Sequence, residues 1–211
     1  MSRRRLTDTN APLDTLPASL YIGSANTWEC DEMGHLNVRF YVARAWEGVA
    51  ILGQHLGLRD PFLPGGGATL TPRDIHVRFL KEVRPGQPLR MRGGVVRMGE
   101  TDAQLYLELR HGDGTPAATF QILVEHGDQQ RLKPFPWGQP ARRAAEALVC
   151  QIPAHGAARS IDQSQAGGEV SLARAEALNV GPIGRSRDTT ADVDPIGRLT
   201  TEMIIGRESD A

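Results

Sequence analysis

Trp28-Glu29-Cys30-Asp31-Glu32-Met33-Gly34-His35-Leu36-Asn37-Val38-Arg39-Phe40-Tyr41-Val42 opens a stretch, running on to Leu58, around which the rest of the chain is organised. Val38, Tyr41, Val42, Ala45, Val49, Leu52 and Leu56 recur three and four residues apart, which puts them on one face of a helix. Asn37 stands where an N-cap belongs, since its side-chain oxygen can accept an unpaired first-turn N–H, and Gly57 stands where the helix should stop. Such a helix is roughly 30 Å long, about the width of a small domain. An apolar stripe of that length needs a sheet to cover it. Asp31 falls just upstream of the helix, across a turn at Gly34.

Working outward, Pro61, Pro64 and Gly65-Gly66-Gly67 read as a flexible loop; no Gly-Lys-Ser/Thr follows the glycines, so this is not a P-loop. Ile75, Val77 and Phe79 then alternate with His76, Arg78 and Leu80, the period of a half-buried strand. Arg84-Pro85-Gly86 turns the chain, Pro88 to Met98 is extended again, and Gly99-Glu100 turns it back. Leu105, Leu107 and Leu109 alternate with Tyr106, Glu108 and Arg110, Asp113-Gly114 marks a hairpin, and Thr119 to Glu125 is the last strand. Upstream, Ser19 to Ile22 and Thr27 to Cys30 read as short extended pieces, and residues 1–17 as a flexible tail. The order is short strand, long helix, then about four antiparallel strands: an α+β unit whose single long helix covers one face of the sheet.

The chain of 211 residues, 40% hydrophobic, is long enough for one good core and part of a second. Lys and Arg number 24 against 25 Asp and Glu, so no net field draws in nucleic acid or an acidic membrane surface. Arg3-Arg4-Arg5 is followed by no apolar run, which argues against a signal peptide, and nothing approaches the length of a membrane span. Cys30 and Cys150 are too few for a disulfide framework or a zinc site of paired Cys-x-x-Cys type. The expected location is the cytoplasm, with no metal or cofactor required.

Pro134, Pro136 and Pro140 mark an exit near Lys133, and Ala141 to Ala147 is a candidate short helix, so the first unit spans 18–132 and a linker spans 133–159. The remainder contains a repeat. Asp192-Val193-Asp194-Pro195-Ile196-Gly197-Arg198-Leu199-Thr200 lies over Glu29-Cys30-Asp31-Glu32-Met33-Gly34-His35-Leu36-Asn37 without a gap, a shift of 163 positions (194 − 31), and Arg207 lies over Arg44. Residues 160–211 therefore read as an incomplete second copy of the first unit, with Asp and Gly kept and His35 and Asn37 replaced by Arg198 and Thr200.

A short strand, Asp31-x-x-Gly34-His35-x-Asn37, a long helix and an antiparallel sheet together resemble the hotdog-fold acyl-CoA thioesterases, the group that includes 4-hydroxybenzoyl-CoA thioesterase. The resemblance covers roughly Leu20 to Glu125. It implies a hotdog fold followed by the start of a second one, and it implies that Asp31 serves as nucleophile or general base. An oxyanion hole is implied at a first-turn N–H, that of Val38 or its neighbours. The residues support the same chemistry independently. Helix N-terminal N–H groups suit a developing oxyanion, a carboxylate is ionised at neutral pH, and a departing thiolate needs little protonation.

The candidate catalytic set is Asp31, His35, Asn37 and Val38, and Arg78, Lys81 and Arg84 are candidates for clamping a nucleotide phosphate. Each has a plainer reading: Asp31 and His35 bonding turn backbone, Asn37 as a cap, and the basic residues as a solvated edge. Two other functions fit the same fold, a non-catalytic acyl-thioester binder and a hotdog enoyl-CoA hydratase or dehydratase. The expected partner is an acyl-CoA substrate, and the expected assembly a homodimer or an internal pseudo-dimer.

Overall fold

The central helix, α1, runs from Val38 to His55, and a strand, β1 (Ala18–Ser24), precedes it. In this computed structural model, which describes residues 15–159, 161, 171–181 and 187–209, four further strands follow α1: β2 (Ala68–Phe79), β3 (Pro88–Met98), β4 (Asp102–His111) and β5 (Pro116–Asp128). They form one antiparallel sheet in the order β1-β3-β4-β5-β2, with β2 at one edge. Asn37 Oδ1 accepts the Arg39 N–H at 3.0 Å, and Gly57 takes φ +87°, so both ends of the helix stop where the sequence places caps.

Burial of α1 follows the periodicity. Tyr41, Val42, Ala45, Gly48, Val49, Leu52 and Gly53 are buried, and the helix shares one core with Leu105, Leu107, Leu109, Phe120, Ile122 and Val124 of the sheet. A Cβ on Gly48 would come within 2.8 Å of Leu107 Cδ2 and Met91 Sδ. That glycine is there for close helix–sheet approach.

The sequence places strands correctly but trims them. β2 begins at Ala68, earlier than its alternation shows, because it passes through Pro72 at a register irregularity that an edge strand tolerates. Thr27–Glu29 is a 3-10 turn instead of an extended piece: Glu29 Oε2 accepts the Asn26 N–H at 2.8 Å, and this closes the backbone on itself. Of the tail, residues 1–14 lie outside the described residues, while Leu16 is buried and its carbonyl accepts from Arg92 Nε at 2.7 Å.

The opposite face of the sheet is covered by the segment after α2 (Gln139–Glu146). Its 3-10 turn Ala154–Gly156 lies against Tyr106, Glu108 and Gln121. His155 Nε2 meets Glu108 Oε2 at 2.8 Å, Gln121 Nε2 donates to Gly156 O at 2.8 Å, and Arg78 Nη1 donates to Ala157 O at 2.8 Å. Glu108, only 1% exposed, also accepts from Tyr106 and pairs with Arg110. Burial and the carboxylate beside it push the Tyr106 hydroxyl well above the usual tyrosine range. Two short helices remain, α3 (Leu172–Ala177) and α4 (Thr201–Ser209), and α4 packs on α1. Among the described residues no helix is long and apolar enough to cross a membrane.

Candidate active site

Asp31 organises a closed loop at the entry to α1. Its Oδ1 accepts the N–H of Met33 and of His35, each at 2.9 Å. Backbone bonds run from Asp31 N to His35 O at 2.8 Å and from Gly34 N to Asp31 O at 3.0 Å, and Gly34 takes φ +74°, which glycine adopts without strain. The plainer reading of Asp31, a turn carboxylate, therefore accounts for one of its oxygens. Among the described residues Oδ2 has no hydrogen-bond partner, and the residue is exposed.

The first turn of α1 leaves one donor over. Asn37 N–H donates to Glu29 O at 2.9 Å, Arg39 N–H to Asn37 Oδ1, and Phe40 N–H to Asn37 O at 2.9 Å. Among the described residues only the Val38 N–H of this group lacks an acceptor. A carboxylate oxygen and a first-turn N–H at the positive end of a helix dipole are thus left unbonded on one loop. Asn37 caps the helix end that carries the second of them.

The His35 ring turns away from Asp31: its Nε2 lies 3.1 Å from Glu82 Oε2 and 3.2 Å from Arg84 Nη2. Arg84 thus joins the loop. Lys81 is exposed, and its charge adds to burial in holding the His111 imidazole below the usual histidine range. Arg78 lies across the sheet against Ala157. Burial, with Asp31 and Glu29 adding to it, pushes the Cys30 thiol up, which disfavours its thiolate. Among the described residues no three His, Cys, Asp or Glu side chains come together closely enough to share a metal ion.

One structural pair escapes inspection of single residues. Glu29, 5% exposed, pairs with Arg44 from the second turn of α1, and Arg44 also reaches Glu47 at 2.8 Å. The pair ties the strand-side arm of the loop to the helix. The signal for it lies in the repeat, where Asp192 and Arg207 occupy the matching positions.

The ring of that repeat is reproduced, though the side-chain cap at Asn37 is not. Asp194 N donates to Arg198 O at 2.7 Å and Gly197 N to Asp194 O at 2.9 Å, Gly197 takes φ +81°, and Asp194 Oδ1 accepts from Ile196 N and Arg198 N at 3.0 and 2.9 Å. Thr200 N donates to Asp192 O at 2.9 Å, as Asn37 N does to Glu29 O. Arg207 lies 3.9 Å from Asp192. One bond is new: Arg198 Nε donates to Asp194 Oδ2 at 3.0 Å.

Residues 25–146 match the thioesterase-like superfamily. The chain belongs to that superfamily. Membership makes it a thioester hydrolase of hotdog fold, and its fold is found again in solved structures. A predicted thioesterase from Bacillus stearothermophilus is 20% identical with a TM-score of 0.54, over 64% of this chain and 98% of that one. A thioesterase of Thermus thermophilus, solved with coenzyme A and zinc, is 15% identical with a TM-score of 0.55, over 64% and 97%. An acyl-ACP thioesterase of Bacteroides thetaiotaomicron is 14% identical with a TM-score of 0.67, over 90% of this chain and 71% of that one. At these identities the likeness is one of fold, and in the last case it reaches past the superfamily match. No curated protein matches the chain.

Proposed function

We propose that this thioester hydrolase cleaves an acyl-CoA to the free acid and coenzyme A, with Asp31 Oδ2 as its base or nucleophile and the Val38 N–H as its oxyanion donor. The observation that carries the reading is the pair of unused groups, one carboxylate oxygen and one first-turn N–H, on a loop whose other polar groups are bonded. With Asp31 as base, Oδ2 takes a proton from water as its oxygen adds to the thioester carbonyl. The oxyanion forms against the Val38 N–H, the C–S bond breaks, and the proton passes to the departing sulfur. With Asp31 as nucleophile, Oδ2 itself adds, coenzyme A leaves, and water hydrolyses the resulting anhydride.

Asn37 positions the donor by capping the turn. His35, held between Glu82 and Arg84, lines the approach, and Arg84 is the cation placed to meet a phosphate of the carrier. Coenzyme A as carrier is supported by the complex of the Thermus thermophilus relative. The assembly expected from this reading pairs the unit with a second hotdog unit, so that each helix N-terminus meets the other unit's wall.

The test is thiol release from short, medium, long-chain and aromatic acyl-CoA esters by wild type and Asp31→Asn. Loss of about 10²–10⁴-fold in kcat with retained binding supports the reading; equal rates from two folded proteins overturn it. A single turnover in ¹⁸O-water separates the routes, since only the nucleophilic route places the label in Asp31.

A further inference from the structure

The second loop opens onto a cavity of about 480 Å³ between α1, β2 and the start of α4, within the ~300–1,000 Å³ typical of small-molecule sites. Trp46, Ala50, Phe62 and Leu70 form one wall, with Trp46 and Phe62 stacked at 5.0 Å between ring centroids. Leu199 and Ile204 form the other. At its polar end lie Asp194, Arg198 and Thr201. Thr201, only 8% exposed, corresponds to Val38 in the first loop, and among the described residues its hydroxyl makes no hydrogen bond. A hydroxyl donor at one end and aromatic and aliphatic walls along the rest match an acyl thioester, whose carbonyl accepts and whose chain is apolar.

The packing of α4 on α1 gives this cavity its meaning. The start of α4 faces Ala43 to Ala50 in the middle and second half of α1, while Met203 and Gly206 lie against Arg39 in its first turn. The helices therefore run antiparallel, each presenting its N-terminus to the flank of the other, as two copies related by a two-fold axis would. The Asp194 loop meets a complete wall from the first unit.

We propose that this cavity is a second acyl-thioester site, one that holds an apolar acyl group with its carbonyl at Thr201 and does not cleave it, because Arg198 occupies the carboxylate oxygen that Asp31 keeps free. The proposal rests on the reading of Asp31 given above. Removing Arg198 frees Asp194 Oδ2 to take the proton of an attacking water, with the thiol leaving as that proton's acceptor.

The test uses 2-oxotridecyl-CoA, a ketone analogue that cannot be hydrolysed, titrated calorimetrically into the full Asp31→Asn chain. Binding of two equivalents, of which Ala50→Trp removes one at an unchanged melting temperature, supports the proposal, as does dodecanoyl-CoA turnover by Asp31→Asn/Arg198→Ala at least tenfold above that of Asp31→Asn. Binding indifferent to Ala50→Trp, binding of free dodecanoate in preference to the ketone, or a folded Asp31→Asn/Arg198→Ala chain as inactive as Asp31→Asn overturns it. Failure of the Asp31 reading looks different: Asp31→Asn then turns over substrate as fast as wild type.

Discussion

Under the mechanism proposed above, Val38 separates chemistry from stability. It is the first residue of α1, and proline is favoured there because that N–H has no helical partner and φ is already set. Asn37, at φ −63° and ψ 142°, already has the extended backbone that a following proline demands. Val38→Pro should therefore leave the melting temperature nearly unchanged while kcat for thiol release falls about 10²–10³-fold through loss of one oxyanion donor. Asn37→Ala should do the reverse in the first instance, costing about 1 kcal/mol in chemical denaturation through the lost cap. At this scale the sequence is informative wherever a residue's role is local. Asp31, Gly34 and Asn37 act on neighbours within a few positions, so their spacing reveals them. Glu82 and Arg84 reach His35 through the fold of the sheet, and Arg78 is turned to the far face by the strand's alternation, so one row of basic residues divides between two sides of the molecule.

Among the elements, α1 and the sheet are held by shape. Gly48→Val would drive side-chain atoms into Leu107 and Met91, and this overpacking should cost about 1–3 kcal/mol in denaturant midpoint analysis despite valine's lower backbone entropy in the unfolded chain. The segment on the opposite face is held by charge instead. Glu108→Leu removes the carboxylate shared by Tyr106, Arg110 and His155 and leaves Arg110 buried without its counter-ion; about 3–5 kcal/mol of stability should be lost, and Glu108→Leu/Arg110→Leu should recover part of it. The strands were legible because period two is written into Leu105, Leu107 and Leu109. Their ends were not, since a proline in an edge strand and a 3-10 turn closed by Glu29 depend on pairings that local pattern does not carry.

For the molecule as a whole, acidity is a predictable stress. Burial holds the His126 imidazole, stacked on Trp137, below the usual histidine range, and His111 is shifted in the same direction. Folding therefore favours their neutral forms. As pH falls through the unfolded value near ~6.5, the unfolded chain takes up protons that the folded chain resists, so stability falls on acidification. Chemical denaturation at pH 7.5 and 5.5 should show this drop, and His126→Gln should shrink it. The duplicated loop was visible in the sequence as Asp, Gly and Leu at a fixed shift, with Arg207 over Arg44, because Asp and Gly carry its geometry; that its cavity is walled by the first unit required the antiparallel packing of two helices. Each ring closes on one aspartate side chain and on backbone, leaving the positions between free to differ, Glu32 against Pro195, Met33 against Ile196, His35 against Arg198. Form and side-chain chemistry are therefore separable within a single polypeptide: the same closed ring tolerates, at one position, a residue that leaves its carboxylate open and a residue that engages it.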